Sequence, residues 1–443
     1  MSGLMHRRRH AGWLRTLATC ALLTSCGQSR NAQQQLDFWT IGREGEAVAQ
    51  LIPDFERLHP DIHVRLQQLP LTAAHQKLLT AYAGNSTPDL SQLGNTWIPE
   101  LVALHALVPL ESRVAQSSVI VPTDYFQNIW ATNQLDGHLY GVPWYVDTRL
   151  LFYRKDLLHQ AGFDAPPRDW NEWSRMLTVL SSHNDHGRDK NGPYGILLPT
   201  NEPEQLLALA LQQDYGPRPG DGLLRDDNRY GNFESAGFKR ALGFYVGIFR
   251  QYQAPPITNG EAGNPWSEFG RGVYAFYLSG PWNISEFRTR LPAARQDDWA
   301  TAPLPGPDGP GASSAGGSSL VVFARSTRQH AAWQLIEYLS QPAVQQRFYD
   351  LLGDMPPRRS SWAGGALRDD PKAQAFREQL ERVRPTPPIP EWERIVNEMQ
   401  LEAARAIAGE LSVDQAAAEL DRHVDAILEK RRWMLDHGRG DPR

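Results

Sequence analysis

Apolar positions change period repeatedly along the first third of the chain. Residues 36–40 (LDFWT) alternate as a short strand, while residues 45–59 carry Val48, Leu51, Ile52, Phe55 and Leu58 at helical spacing before Pro60. Residues 62–69 alternate again, 71–82 read as a helix, 89–93 as a buried strand and 97–107 as another helix. Strand and helix in alternation predict an α/β fold. Pro53 conflicts with the first helix, because an interior proline removes a backbone donor; that helix is expected to start late or to kink there.

Farther on, residues 139–143 and 150–153 predict strands flanking a connection, 170–180 a helix entered from Pro166 and Pro167, and 236–252 a long helix. The segments 181–192, 214–232 and 303–317 are rich in Gly, Pro, Asp and Asn and read as loops. The last is followed at once by the apolar run 320–324 (LVVFA), which makes it a crossover between buried segments rather than a domain linker. Residues 411–435 predict one amphipathic helix with Ala, Leu and Val on one side.

The N-terminus follows a different logic. Residues 6–10 (HRRRH) precede a mostly apolar stretch, 11–23, that reads as a secretory signal and is shorter than the roughly 20 residues a membrane-spanning helix needs. The sequence LTSCG at 23–27 resembles the bacterial lipobox, in which the signal is cut before the cysteine and the thiol is lipidated. That implies a signal peptide at 1–25, an acylated Cys26 and a polar tether at 26–35, with the folded body starting near Leu36.

Composition narrows the chemistry. Cys20 and Cys26 are the two cysteines of the chain, so disulfide, thiol-redox and cysteine-ligated metal chemistry is excluded from the folded body. Removing residues 1–25 takes away four arginines and no acid, which moves the formal charge from −5 to −9; together with the lack of a basic, aromatic-interleaved stripe this excludes nucleic acid as a partner. No zinc-protease motif, nucleophile elbow or phosphate loop appears, and no cofactor is expected. His183, His186, Asp189 and Asn191 suggest a cation loop, but Leu198 stands where a calcium loop needs its bidentate glutamate, so a polar loop and no metal is the expectation.

A set of short motifs in a fixed order carries a resemblance. LDGHLYGVP at 135–143, LFYRKDL at 151–157, AGF at 161–163, PPRDW at 166–170, FGRG at 269–272, GPW at 280–282 and APLPG at 302–306 resemble the extracellular solute-binding proteins of bacterial sugar ABC importers, in particular the maltose- and trehalose-binding branch. The resemblance implies two α/β lobes of discontinuous segments, 36–146 with 303–350 and 147–302 with 351–443, joined by crossing strands around a ligand cleft. It also implies a periplasmic, lipid-anchored monomer, or a cell-surface one in a Gram-positive host. The membrane permease subunits of an importer would be its partner, and it would have no enzymatic activity.

A sugar needs an aromatic face for its C–H side and fixed donors and acceptors for its hydroxyls. By resemblance, Trp282 supplies the stacking surface, Asp147 accepts sugar hydroxyls at the hinge, and Arg358 donates to them, with Arg359 as the fallback. Arg43 and Glu44 follow the first strand, where the family places a ligand-binding acid. Asn95 falls beside Gly94, which takes the place of a family aspartate. Gly317 and Ser318 correspond to a glycine followed by an aromatic, so serine there exchanges a stacking wall for a hydrogen-bonding one. Trp97 and Tyr145 divide evenly between cleft and core, and Trp392 is placed to close the cleft from the second lobe. An α-glucosyl disaccharide, maltose or trehalose, is the expected ligand; sucrose, an oligosaccharide or a glycerophosphodiester is the alternative on the same fold. A secreted carbohydrate hydrolase, with two carboxylates as acid and base, is the alternative of another class.

Overall fold

The computed structural model describes residues 33–182, 193–213 and 222–437. Cys26, the signal, most of the tether and the His183–Asn191 loop lie outside the described residues.

Two sheets organise the chain. The first has five strands in the spatial order Ile62–Leu69, Gln34–Ile41, Leu90–Gly94, Gly316–Val322, Val142–Asp147. Its first three strands are parallel, as helical crossovers require, and Gly316–Val322 runs antiparallel to both its neighbours. Both faces are covered, so successive residues of one strand serve opposite cores. Leu320 and Val322 pack with Phe38, Phe55 and Trp333, whereas Val321 and Phe323 pack with Ile41, Leu78 and Leu93. That two-sided burial is why 320–324 reads as an unbroken apolar run.

The second sheet has four strands in the order Trp299–Ala302, Leu150–Arg154, Tyr274–Ser279, Tyr194–Leu197. Helices Trp170–Leu180, Pro203–Ala210, Ala236–Arg250, Trp392–Ala408 and Val413–Ile427 supply residues to the apolar core on its side, among them Trp173, Leu207, Phe238, Trp392 and Leu420. The chain passes from the first sheet to the second through two residues, Thr148 and Arg149, between Val142–Asp147 and Leu150–Arg154. It returns later than residue 303: Leu304 belongs to the second core, Ser313–Ser314 pairs with Val383–Arg384, and the first sheet is rejoined at Gly316.

Several sequence expectations shift. The helix Glu44–Leu58 starts before Pro53 and continues past it, and Pro53 and Ala49, whose carbonyl loses its partner, both face solvent. Residues 97–107 split into a 3₁₀ turn at Asn95–Trp97 and a short helix Ile98–Ala103, after which His105 takes a left-handed conformation. The strand expected at 139–143 begins at Val142 and reaches Asp147. The C-terminal helix is two, Val413–Ile427 and Glu429–Asp436, interrupted at the fully buried Leu428.

Candidate functional site

A cavity of about 290 Å³ opens between the first sheet and helices of the second sheet's core, at the lower edge of the roughly 300–1,000 Å³ typical of small-molecule sites. From the first sheet it is lined by Gln92, Gly94, Tyr145, Asp147, Gly317 and Ser318; the 3₁₀ turn adds Asn95, Thr96 and Trp97. From the other side come Arg149, Glu204, Leu207, Thr386, Trp392, Glu393 and Val396.

The two glycines that cross beside Asp147 are required by geometry. Gly317 has φ 137°, and a Cβ there would fall 2.3 Å from the Tyr145 carbonyl oxygen; a Cβ on Gly316 would fall 2.3 Å from that of Asp147. Close strand approach brings Ser318 onto Tyr145. The Tyr145 hydroxyl accepts from Ser318 Oγ at 3.0 Å and from Gln92 Nε2 at 3.0 Å, and donates its own proton to Glu44 Oε1 at 2.6 Å. Gln92 is in turn fixed by the Ile41 backbone N–H, which donates to its Oε1. Tyr145 is therefore a polar node of the cavity wall, fully committed and rigid.

Seven of the sequence-predicted residues, Asn95, Trp97, Tyr145, Asp147, Gly317, Ser318 and Trp392, line this cavity. The amide nitrogen of Asn95 donates to the Ala315 carbonyl at 2.6 Å, so an acceptor role there rests on its oxygen. Trp97 packs on His75, with ring centroids 4.8 Å apart, and Trp392 is core and cavity wall at once. Glu44 reaches the cavity through Tyr145. Trp282 flanks it: the half-buried indole rests against Gly280, where a Cβ would fall 1.9 Å from the ring, and lies 5.0 Å from the Arg149 guanidinium. Arg43 does not line the cavity and pairs with Glu286, at 2.8 Å on the helix Asn283–Arg290.

Arg358 is not among the residues that line this cavity. Its Nε donates to Asp124 and its Nη1 to the Ser340 carbonyl, and the guanidinium covers the Tyr125 ring. The fallback, Arg359, pairs with Glu381 and covers Phe126. Sequence reasoning missed Gln92, Arg149, Glu204, Glu393 and, behind Glu44, Asp354. The one signal for Asp354 is its place after Gly353, whose left-handed cap (φ 87°) ends the helix Pro342–Leu352.

Among the described residues seven further tryptophans are structural: Trp130, Trp144, Trp170, Trp173, Trp299, Trp333 and Trp362 are buried in the cores. Among the described residues one group places three metal-type ligand atoms within 4.8 Å of one another, Glu398, Glu402 and His423. Arg405 donates to both Glu402 oxygens and Arg422 contacts the His423 ring, so these residues form an ion-pair network already supplied with cations. None of the three lines the cavity.

The cleft is rich in carboxylates. Burial pushes Asp354 well above the usual range, reinforced by the charges of Glu44 and Asp147. Burial also raises Glu44, against the opposing hydrogen bond from Tyr145, and raises Asp147, against Arg149. Glu202 and Glu393 are raised by burial as well. A carboxyl raised on folding favours the folded state below its ordinary value and loses that benefit as the pH climbs through the raised value. Asp354→Asn, which removes one of these crowded charges, is expected to melt with the wild type near pH 4 and about 2 °C or more above it at pH 8. Melting curves across that range check this, and a difference that does not grow with pH would contradict it.

Comparison with known proteins places these features. A family model for bacterial extracellular solute-binding proteins matches residues 50–375. The solved sugar-binding protein MalE from Xanthomonas citri is 52% identical, with a TM-score of 0.84 over 91% of this chain and 100% of that one. The GacH receptor of Streptomyces glaucescens is 25% identical, with a TM-score of 0.75 over 90% of this chain and 99% of that one. The mannitol-binding protein of Pseudomonas aeruginosa is 26% identical over 82% of this chain and 86% of its own length.

Proposed function

This chain belongs to the bacterial extracellular solute-binding proteins, and from that premise we propose that it is the sugar receptor of an ABC importer. In this reading it takes an α-glucosyl disaccharide, maltose or trehalose, into the cavity between its two lobes. The lobes correspond to the two sheets and hinge where Asp147 leads into Leu150 and where Ser314 leads into Gly316. Closure over the sugar presents both lobes to the permease. Acylated Cys26 tethers the body to the membrane, and no helix among the described residues is long and apolar enough to cross one.

The observation that carries the reading is the make-up of the cavity wall. Trp97, Trp392 and the flanking Trp282 offer apolar faces, while Asp147, Glu204, Glu393 and Ser318 offer acceptors around them. A carboxylate accepts from neighbouring hydroxyls at several lone-pair sites, so an acid-rich wall suits a neutral polyol. The same wall disfavours a glycerophosphodiester. Glu44, Asp147, Glu202, Glu204, Asp354 and Glu393 stand against Arg149 and an Arg43 already paired with Glu286, and a phosphate would add a further negative charge. The match to a sugar-binding protein at 52% identity supports the same ligand class.

Isothermal titration of residues 36–443 against maltose, trehalose, sucrose and glycerophosphocholine tests the proposal. Saturable 1:1 binding of maltose or trehalose, with the sugar recovered intact, is the expected result. Recovery of cleaved sugar would replace the receptor by a hydrolase, and binding of glycerophosphocholine alone would replace the ligand.

A further inference from the structure

We propose that Arg149 is a positioning residue of the ligand cleft, tying Asp147 at the end of one lobe's sheet to the Trp282 indole of the other lobe, so that acceptor and stacking face meet the sugar as one unit. The inference rests on the sugar-receptor reading and adds to it a residue that lies outside the sequence motifs and is not one of the predicted contacts.

Arg149 occupies half of the two-residue crossing between the sheets. Its backbone N–H donates to Ser313 Oγ at 3.1 Å, on the returning strand, so both crossings hold its main chain. Its side chain is 7% exposed. Nη1 donates to Asp147 Oδ1, Nη2 lies 3.9 Å from Glu204, and the guanidinium carbon lies 5.0 Å from the Trp282 ring centroid. A buried charge is costly unless it is paired, and here both a carboxylate and an aromatic face answer it. Arginine does this where lysine fails, because a planar fork bonds with its edge while stacking with its face.

The contrast with Arg358 is instructive. Arg358 lies outside the cavity and spends Nε and Nη1 on protein oxygens, as a structural arginine does. Arg149 lines the cavity, and its Nε is buried without a hydrogen-bond partner. Its side-chain contacts go to Asp147, Trp282 and Glu204, the first two of them assigned to the ligand.

The electrostatics supply a readout. Burial pulls the Arg149 guanidinium down, but Asp147, Glu204 and Glu202, with Tyr277 beyond them, hold it above the ordinary arginine value, so it stays charged. Burial raises Asp147, whose other charged neighbours, Glu202, Glu204, Glu44 and Asp354, are all acids. Arg149 is the cation that opposes them, and losing it moves the Asp147 titration upward.

The test uses Arg149→Met and Arg149→Lys in the mature chain. In ligand-free protein, the carboxyl carbon resonance of Asp147, assigned through Asp147→Asn, is expected to titrate about one unit higher in R149M. R149K, which keeps the charge, returns it toward the wild-type midpoint. With maltose or trehalose, R149M is expected to bind about two- to threefold more weakly at pH 6 than at pH 8, a difference the wild type lacks and the double variant D147N/R149M abolishes. R149K is expected to bind about fivefold more weakly at both pH values, since lysine cannot bond and stack together. An unmoved Asp147 midpoint in R149M, or wild-type affinity in R149K, overturns the proposal, and R149K decides alone where R149M does not fold. If the wild type binds neither sugar, the maltose-or-trehalose assignment falls, and the ligand-free titration still tests the pairing of Arg149 with Asp147.

Discussion

Trp282→Ala is expected to weaken disaccharide binding by about 30-fold, or roughly 2 kcal/mol, the scale of a central aromatic contact. The turn that precedes it explains why this tryptophan, out of fourteen in the chain, is singled out. Most of the others lie in one core or another, where replacement would cost stability before it cost affinity. Trp282 is half-buried at the start of the helix Asn283–Arg290, with its ring held against Gly280 and over Arg149. A ring fixed in this way loses little conformational freedom on binding, so the apolar contact with a sugar face is retained as affinity. Trp433→Ala, at the exposed C-terminal helix, is the control and should leave the dissociation constant within about twofold. Titration calorimetry of the two variants and the wild type against one sugar measures both. A dissociation constant for Trp282→Ala equal to that of the wild type would remove this residue from the ligand.

The fold was legible in the sequence wherever burial is one-dimensional. The alternation of strand and helix from Leu36 to Leu107 follows from side-chain period, and the apolar run at 320–324 announces a strand covered on both faces. Pro53 is a different case. Its position within a helix is visible in sequence, but whether it breaks that helix depends on whether Ala49 faces water, which the packing decides. The interruption at Leu428 has no Gly or Pro to mark it.

The site was legible to the extent that motif position carries it. Asp147, Gly317 and Ser318 meet because two strands cross at a pair of glycines, and the glycines are visible in the chain. Arg149 and Gln92 were not legible, since an arginine after a strand reads as a surface residue and a glutamine in an apolar run carries no motif. What makes each matter is the company it keeps across a long sequence separation: Gln92 with Ser318, Arg149 with Trp282 and Glu204. Arg358 shows the converse. Its motif is in place, and the side chain is spent elsewhere.

That difference gives a second large effect of opposite kind. Arg358→Met is expected to cost about 3 kcal/mol of stability, toward the lower end for breaking a buried ion pair because Asp124 keeps some contact with water. The same variant should leave sugar affinity within about twofold. The loss has three sources: the Asp124 carboxylate without its cation, the Ser340 carbonyl without its donor, and the Tyr125 ring without its cover. Burial pushes Asp124 up, but hydrogen bonds from Ser360 and Arg358 outweigh it and hold the carboxyl below its ordinary value. A carboxyl lowered on folding stabilises the fold above its ordinary value of about 4 and loses that benefit as the pH falls through the lowered one. The deficit of Arg358→Met should therefore be full at pH 7 and shrink toward pH 3, the reverse of the trend expected for Asp354→Asn. Urea denaturation at several pH values, paired with calorimetric titration at pH 7, separates the two roles: a stable variant that no longer binds sugar would return Arg358 to the cleft, whereas an unstable variant that still binds would place it in the scaffold that holds the hinge.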